Sequence, residues 1–449
     1  MKTNFFSLSP LPTSREGKVG WVTCLIALLI ISSSIHSQEF DESSLFEDTV
    51  TVTQAPLNNT EEISTDEKKL GVSGTVTSAI SVIMPRKDFD TPLSSPSITA
   101  DILLDARLKG GIKGFVSGEA VYSPVGLTST TFTLPEAFID INFRNKVYLR
   151  TGKQVLQWGR GYLWNPTDLI NVERKTFVQR IGLREGAYGV KAHVPFGTRL
   201  NFYGFIDLRG ADSLEKSAAS FKTEFTVKST EMAFAVWKKE SKQPVFGYDF
   251  SSSLFGTSIA GEASLFRKDN EMFATINNDI LKEERGEKEW ATRAALTVNR
   301  SFSINGIPDR LALIAEGFYN STGYSSSFIK DAASPNVSSQ SGMNAILFAA
   351  MNGLYKPNEV SKYYVALFAN ISRFINSNMS LSVNAIGNIE QNSVLLYTAL
   401  SYNDLRDLSI NLSISGGIGP ENTEYTLDLG PNLPIRNGLT TQLSAAISF

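Results

Sequence analysis

The chain has 449 residues, 42% of them hydrophobic, and a near-balanced charge of 42 Lys and Arg against 45 Asp and Glu. In a soluble protein that length would mean two or three domains, and the absence of a basic surplus argues against a nucleic-acid partner. The single cysteine, Cys24, excludes a disulfide scaffold.

The N-terminus comes first in chain order. Lys2, Arg15 and Lys18 precede an apolar run over 19–31, followed by Ser32, Ser33, Ser34 and Ser37. Positive, then apolar, then small is the order of a secretory signal, and the run is too short to span a bilayer comfortably. The expected signal peptide is 1–37. Cys24 lies inside the apolar run and not just after it, so a lipid anchor is not indicated and the mature chain holds no cysteine. Removing Lys2, Arg15, Lys18 and Glu16 leaves 39 basic and 44 acidic residues. An exported chain without disulfides needs another means of closure, and a closed β-sheet supplies one. Residues 38–69, rich in Glu and Asp with few aromatics, read as a flexible acidic periplasmic tail.

From Leu70 the pattern changes to segments of two-residue period. Ile98, Ala100, Ile102, Leu104, Ala106 and Leu108 alternate with Ser97, Thr99, Asp101, Leu103, Asp105 and Arg107. Phe202, Gly204, Ile206 and Leu208 alternate with Asn201, Tyr203, Phe205 and Asp207, and residues 217–228 and 288–299 behave alike. Each such segment is a strand with one apolar and one wet face, with no competing helical period. After residue 37 no apolar run approaches the roughly 20 residues a membrane helix needs.

The predicted strands are 70–83, 97–108, 111–123, 132–143, 146–155, 186–194, 198–208, 217–228, 230–239 and 244–255. They continue as 257–267, 288–300, 309–320, 343–355, 359–373, 377–388, 392–403, 405–416, 423–430 and 437–449. Short turns at Asn145, 195–197, Ser229 and Gly256 alternate with polar stretches at 156–185, 268–287 and 321–342. Short turns on one side and long loops on the other define an all-β, single antiparallel transmembrane barrel over 70–449. The expected count is about 18–20 strands, within a range of 16 to 20. A soluble β-sandwich also alternates. Here the apolar face mixes Gly, Ala and Thr with Leu, Val and Phe and carries aromatics near segment ends, which suits lipid. The last strand places Leu439, Thr441, Leu443, Ala445, Ile447 and Phe449 on one face. A terminal aromatic of that kind resembles the C-terminal signal read by the barrel-insertion machinery of outer membranes.

The stretch from Glu136 to Asp168 is the most distinctive. A hairpin sets Glu136, Asp140 and Asn142 against Tyr148, Arg150 and Gln154 on its wet face. After it come Gly152-Lys153-Gln154, Trp158-Gly159 and Trp164-Asn165-Pro166-Thr167-Asp168. Over about 60 residues this resembles porin-like outer-membrane families in which an acidic strand precedes G-K/R-Q, a W-G pair and an N-P-T-D loop. The resemblance implies a Gram-negative outer-membrane location and a transport channel, and leaves the solute open. Alternation makes Glu136, Asp140, Tyr148, Arg150, Gln154, Lys191, Glu262, Arg293 and Glu316 the pore-lining candidates. Trp158, Arg160, Trp164, Asp168, Arg174 and Arg180 are the constriction-loop candidates. One reading folds the loop over 156–185 into the lumen, where its basic groups attract anions. The other leaves it at the surface, solvated or bridged to lipopolysaccharide phosphates. Arg150, Lys191 and Arg293 have a plainer reading too, as counter-charges to Glu136, Asp140, Glu262 and Glu316.

The run Asp48-Thr49-Val50-Thr51-Val52-Thr53 resembles the contact box of energy-coupled receptors. The short stretch before Leu70 leaves no room for their plug domain. The mature chain has one histidine, His193, two residues before the Pro195 turn and so near the periplasmic rim, where an outer-membrane hydrolase would not place its base. No metal cluster, phosphate loop or G-x-S-x-G is visible. The expectation is therefore a passive channel for small hydrophilic solutes without cofactor or metal, set in lipid and lipopolysaccharide. Association into homo-oligomers is left open. A non-conducting surface-binding barrel is the first alternative, an outer-membrane hydrolase the second.

Overall fold

The computed structural model describes residues 69–449 apart from 109–110, 126–129, 171–185, 198, 212, 214–215, 404–406 and 430–436. The expected signal peptide, nearly all of the acidic tail, Arg174 and Arg180 lie outside the described residues.

In chain order the strands begin β1 (Lys69–Pro85), β2 (Leu93–Leu108), β3 (Ile112–Tyr122), β4 (Thr130–Phe143), β5 (Val147–Gln154), β6 (Ala187–Phe196) and β7 (Leu200–Asp207). Next are β8 (Ala218–Val227), β9 (Thr230–Lys239), β10 (Val245–Leu254), β11 (Thr257–Arg267), β12 (Met272–Asn277) and β13 (Ile280–Arg285). Then follow β14 (Trp290–Ile304), β15 (Ile307–Asn320), helix α1 (Phe328–Ala332), β16 (Ser338–Ser339) and helix α2 (Ala345–Met351). The chain ends with β17 (Tyr363–Ser372), β18 (Met379–Asn388), β19 (Ser393–Asn403), β20 (Leu408–Ile418) and β21 (Gly438–Ser448).

Eighteen of these strands form one antiparallel sheet, and it closes because β1 pairs with both β2 and β21. Closure leaves no sheet edge, the condition for a backbone in hydrocarbon. The seam ends on Phe449, whose backbone exchanges two 2.9 Å hydrogen bonds with Gly74. A Cβ on Gly74 would lie 2.7 Å from the Phe449 ring, so the terminal aromatic needs glycine beneath it.

Pairing fixes which face each side chain takes. Ile80, Ile102, Val116, Ile139, Phe221, Phe234, Leu296, Val365, Leu367, Leu412 and Leu443 are exposed apolar residues on the outer face. Inner positions of the barrel strands carry Thr77, Ser97, Thr99, Lys222, Asp249, Glu262, Thr297, Asn411 and Gln442, all buried. Short turns join β4 to β5, β8 to β9, β10 to β11 and β14 to β15 at the end where Lys69 and Phe449 lie. The β14–β15 turn is Asn305-Gly306 with φ of 54° and 74°, a pair suited to a twisted two-residue hairpin. At the other end sit the long connections 155–186, 268–289, 321–362 and 419–437.

Two predicted strands are absent, and this takes twenty to eighteen. Residues 343–355 hold α2 instead: Asn344 caps it by accepting from the Leu347 N–H, and Ala345, Ile346, Leu347, Phe348 and Ala349 are all buried. An apolar run covered on every side carries no period to separate helix from strand. Helices α1 and α2 also correct the expectation of no helical segment. Residues 423–430 alternate in sequence, yet 423–428 are buried at both parities and pair with no barrel strand. They are an inserted loop. In the other direction, the polar stretch 268–287 contains the hairpin β12–β13.

The insertions build a core inside the barrel. Trp164, Leu281, Phe328, Ile329, Ile346, Phe348, Leu354, Tyr425 and Leu427 pack against inward residues of β14 to β18. A second cluster sets Leu156, Trp158, Leu169 and Ile170 against Phe205, Trp237, Val245 and Phe266. Among the described residues no helix is long and apolar enough to cross a membrane.

Candidate functional site

The loop after β5 turns into the barrel, and two wall carboxylates hold its backbone. Glu262 on β11 accepts from the Arg160 N–H at 2.8 Å, the Thr167 N–H at 2.9 Å, the Thr167 hydroxyl at 2.6 Å and the Gly161 N–H. Glu316 on β15 accepts from Tyr162, Leu163 and Trp164 N–H at 2.9, 3.0 and 2.7 Å. Loop amides have no partner of their own in a low-dielectric interior, and the oxygens of one carboxyl group accept from several at once.

The motif glycines make this approach possible. A Cβ on Gly161 would sit 1.9 Å from the Trp164 carbonyl oxygen, and one on Gly159 would sit 2.8 Å from Glu262 Oε2. The W-G and N-P-T-D elements are therefore parts of a fastening. Asn165 and Asp168 close a turn at 3.0 Å, and the Trp164 indole stacks on Phe318 at 5.2 Å and donates to the Asn358 carbonyl at 2.8 Å. Both Trp158 and Asp168 are buried.

Arg160 projects from this loop into a knot of acids. Its guanidinium meets Asp249 at 2.5 Å, Glu231 at 2.7 Å and Glu224 at 2.6 Å, and only 9% of the side chain is exposed. Burial opposes its charge, but Asp249 and Glu224 outweigh that and push its pKa up. Lys222 adds a second cation, donating to the Trp158 carbonyl at 2.7 Å and lying 3.3 Å from Asp249. Of the readings open for this loop, the one in which Arg160 attracts anions with an open charge does not describe it: its charge is taken up by three carboxylates.

The other candidates fall into three places. Glu136 and Gln154 sit at the root of the loop, Glu136 accepting from the Val155 N–H at 2.7 Å and Gln154 donating to Gly189 O at 3.3 Å. Asp140, Tyr148, Arg150 and Lys191 occupy the inner wall of β4 to β6, with Arg150 bidentate to Asp140 at 2.6 and 3.0 Å and over the Phe138 ring at 3.8 Å. Lys191 faces Arg150 in register and His193 faces Tyr148. His193 stacks between Tyr148 and Tyr203 at 5.7 and 4.4 Å and bonds Asn201. Arg293 lies apart, on the outer side of the loop, bidentate to Glu271 at 2.9 and 2.7 Å. Glu271 is outside the strands, and although burial pushes it up, Arg293 and Lys356 hold it at about 2.

Glu224, Glu231, Asp249, Lys222, Thr167 and Glu271 were not among the sequence candidates. Glu224, Glu231 and Asp249 do occupy inward positions on successive strands β8 to β10, next to Glu262 on β11, a signal visible once register is known. Among the described residues no group of three or more His, Cys, Asp and Glu is arranged to hold a metal.

No model of a protein family matches the sequence, and no curated protein matches it. Solved structures do share the architecture. OccAB4 of Acinetobacter baumannii superposes with a TM-score of 0.50 at 8% identity, covering 86% of this chain and 99% of that one. OccK8 (OprE) of Pseudomonas aeruginosa gives 0.50 at 7% identity, covering 85% and 98%. A triple mutant of the Rhodopseudomonas blastica porin is similar more loosely, at 0.43 and 9% identity, over 85% and 100%. The class the fold defines is a closed, eighteen-stranded antiparallel barrel, an architecture it shares with OccAB4 and OccK8.

Proposed function

We propose that the chain is an outer-membrane, porin-like channel for passive diffusion of small hydrophilic solutes, selected by lumen width and charge. The observation that carries this reading is the loop over 155–170, folded inward and fastened by Glu262 and Glu316 amid ionised side chains. A barrel of eighteen strands is too wide to be filled by its own wall residues. The inward loop narrows it, and Arg150, Lys191 and Tyr148 beside Asp140 form the pore-lining surface on β4 to β6. Export by a cleaved signal peptide, insertion through Phe449 and the absence of catalysis belong to the same reading. A histidine held between two tyrosine rings and bonded to Asn201 is suited to a wall and not to proton transfer.

Purified chain in planar bilayers should give discrete conductance steps, and reversal potentials in a salt gradient should shift toward cations when Arg150 and Lys191 are both replaced by Gln. A silent bilayer would return the reading to a surface-binding barrel.

A further inference from the structure

On the outer side of the fastened loop is a cavity of about 320 Å³, between Leu169, the tops of β9 to β11, the β12–β13 hairpin and the segment after α2. That is the size of a small-molecule site. Its floor is apolar: Leu169, Trp237, Val245, Phe266 and Leu354 are all buried there. Its polar rim is divided. Arg293 and Glu271 satisfy each other, with Arg293 also within 3.3 Å of Asn320 and Thr322. Lys356 is different. Its ammonium is 3.8 Å from Glu271, beyond hydrogen-bond reach, and its side chain is 30% exposed. Glu271 favours its charge, while the nearby Arg293 and Lys242 oppose it with like charge, so a further anion there would be welcome. Glu283 lines the same cavity from β13, across the pair from the buried Ala274.

An ammonium and a carboxylate over an indole and phenyl floor are complementary to a solute of inverse layout. We propose that this cavity is a binding site for a small zwitterion with an apolar body, such as an α-amino acid with a large side chain. Its carboxylate meets Lys356, its ammonium meets Glu283, and its side chain lies on Trp237 and Phe266. The proposal rests on the channel reading, for which the cavity is the outer vestibule.

The test is equilibrium dialysis of radiolabelled L-phenylalanine against the purified full chain in detergent, with competition by phenylacetate, phenethylamine and L-alanine. Phenylalanine should bind saturably, and each competitor, lacking one of the three features, should be at least ten-fold weaker. Glu283→Gln should abolish the preference for phenylalanine over phenylacetate, and Lys356→Gln that over phenethylamine. Glu283→Asp and Lys356→Arg should retain most of both. Heat-modifiable migration reports that each variant is folded, and the competition series on the unaltered chain needs no variant. Absence of saturable binding overturns the proposal, as does phenylacetate binding as tightly as phenylalanine. Dialysis does not depend on conduction: a conducting barrel without saturable binding refutes the site alone, and a silent barrel refutes the channel.

Discussion

Replacing Glu316 tests whether the inward loop is latched by wall carboxylates. Its carboxylate, on a residue only 1% exposed, accepts three backbone N–H bonds from residues 162–164. Hydrogen bonds contribute about 0.5–1.5 kcal/mol each between neutral groups and about 1.5–3 kcal/mol to charged ones, and the freed amides regain water if the loop lifts, so a value near the boundary applies. Three such bonds give roughly 4 kcal/mol for Glu316→Ala, about a thousand-fold change in the seated-to-lifted ratio. Glu316→Gln keeps one acceptor oxygen and turns a donor toward an amide. It should cost about half as much, roughly thirty-fold. Barrel closure does not involve these bonds, so heat-modifiable migration should stay as in the unaltered chain. Single-channel current should become noisier in the order Gln then Ala, and protease should cut near Trp164 in the same order. Quiet current and full protection in both variants would refute the latch.

Gly161→Ala should unseat the same loop without touching a charge, since its Cβ would meet the Trp164 carbonyl at 1.9 Å; the current noise should match that of Glu316→Ala. Gly74→Val should lower the folded fraction on heat-modifiability gels by crowding the Phe449 ring, and Phe449→Ala in the same chain should restore part of it. Arg160→Met leaves Glu224, Glu231 and Asp249 short of a counter-charge in a buried cluster, so the folded fraction on heat-modifiability gels should fall. Glu424, outside the strands, is raised from 4.5 to about 7 by burial, against the bonds from Tyr364, Asn358 and Asn388. A raised carboxyl stabilises its surroundings fully below 4.5 and loses that contribution as pH rises through about 7, so hydrogen exchange at Asn358 should speed up across that window by more than its intrinsic base-catalysed rise. In Glu424→Gln only the intrinsic base-catalysed rise of amide exchange with pH should remain.

Strand positions were legible because lipid on one side and water on the other impose a strict period on Ile98 to Leu108 and its counterparts. What was not legible lies where that two-sided environment ends. Residues 345–349 are enclosed by protein on all sides, so their apolar run has no period. Residues 423–428 alternate, but Glu424 turns inward to Tyr364 and Asn388 at 2.7 and 2.8 Å instead of joining a ladder. The candidate site divides the same way. Inward positions such as Arg150, Glu262 and Glu316 follow from alternation, whereas the meeting of Arg160 with Glu224, Glu231 and Asp249 depends on the path of a loop that has no period.

That division bears on how the lumen would select. The lumen charges with the most partners are spent on architecture: Glu262 and Glu316 on loop amides, Arg160 on three acids, Arg293 on Glu271. Once desolvated and paired they contribute little net field, and removing one side of such a pair costs far more than it reveals about solutes. Charges still in reach of water include the part-exposed Arg150 and Asp140, at 24% and 27%, and Glu231 at 37%. Charge selection should therefore respond to changes at Arg150, Asp140 and Glu231 in proportion to the charge altered, with the loop still seated. Changes at Glu262 or Glu316 should alter selection only together with current noise, because they act by releasing the loop.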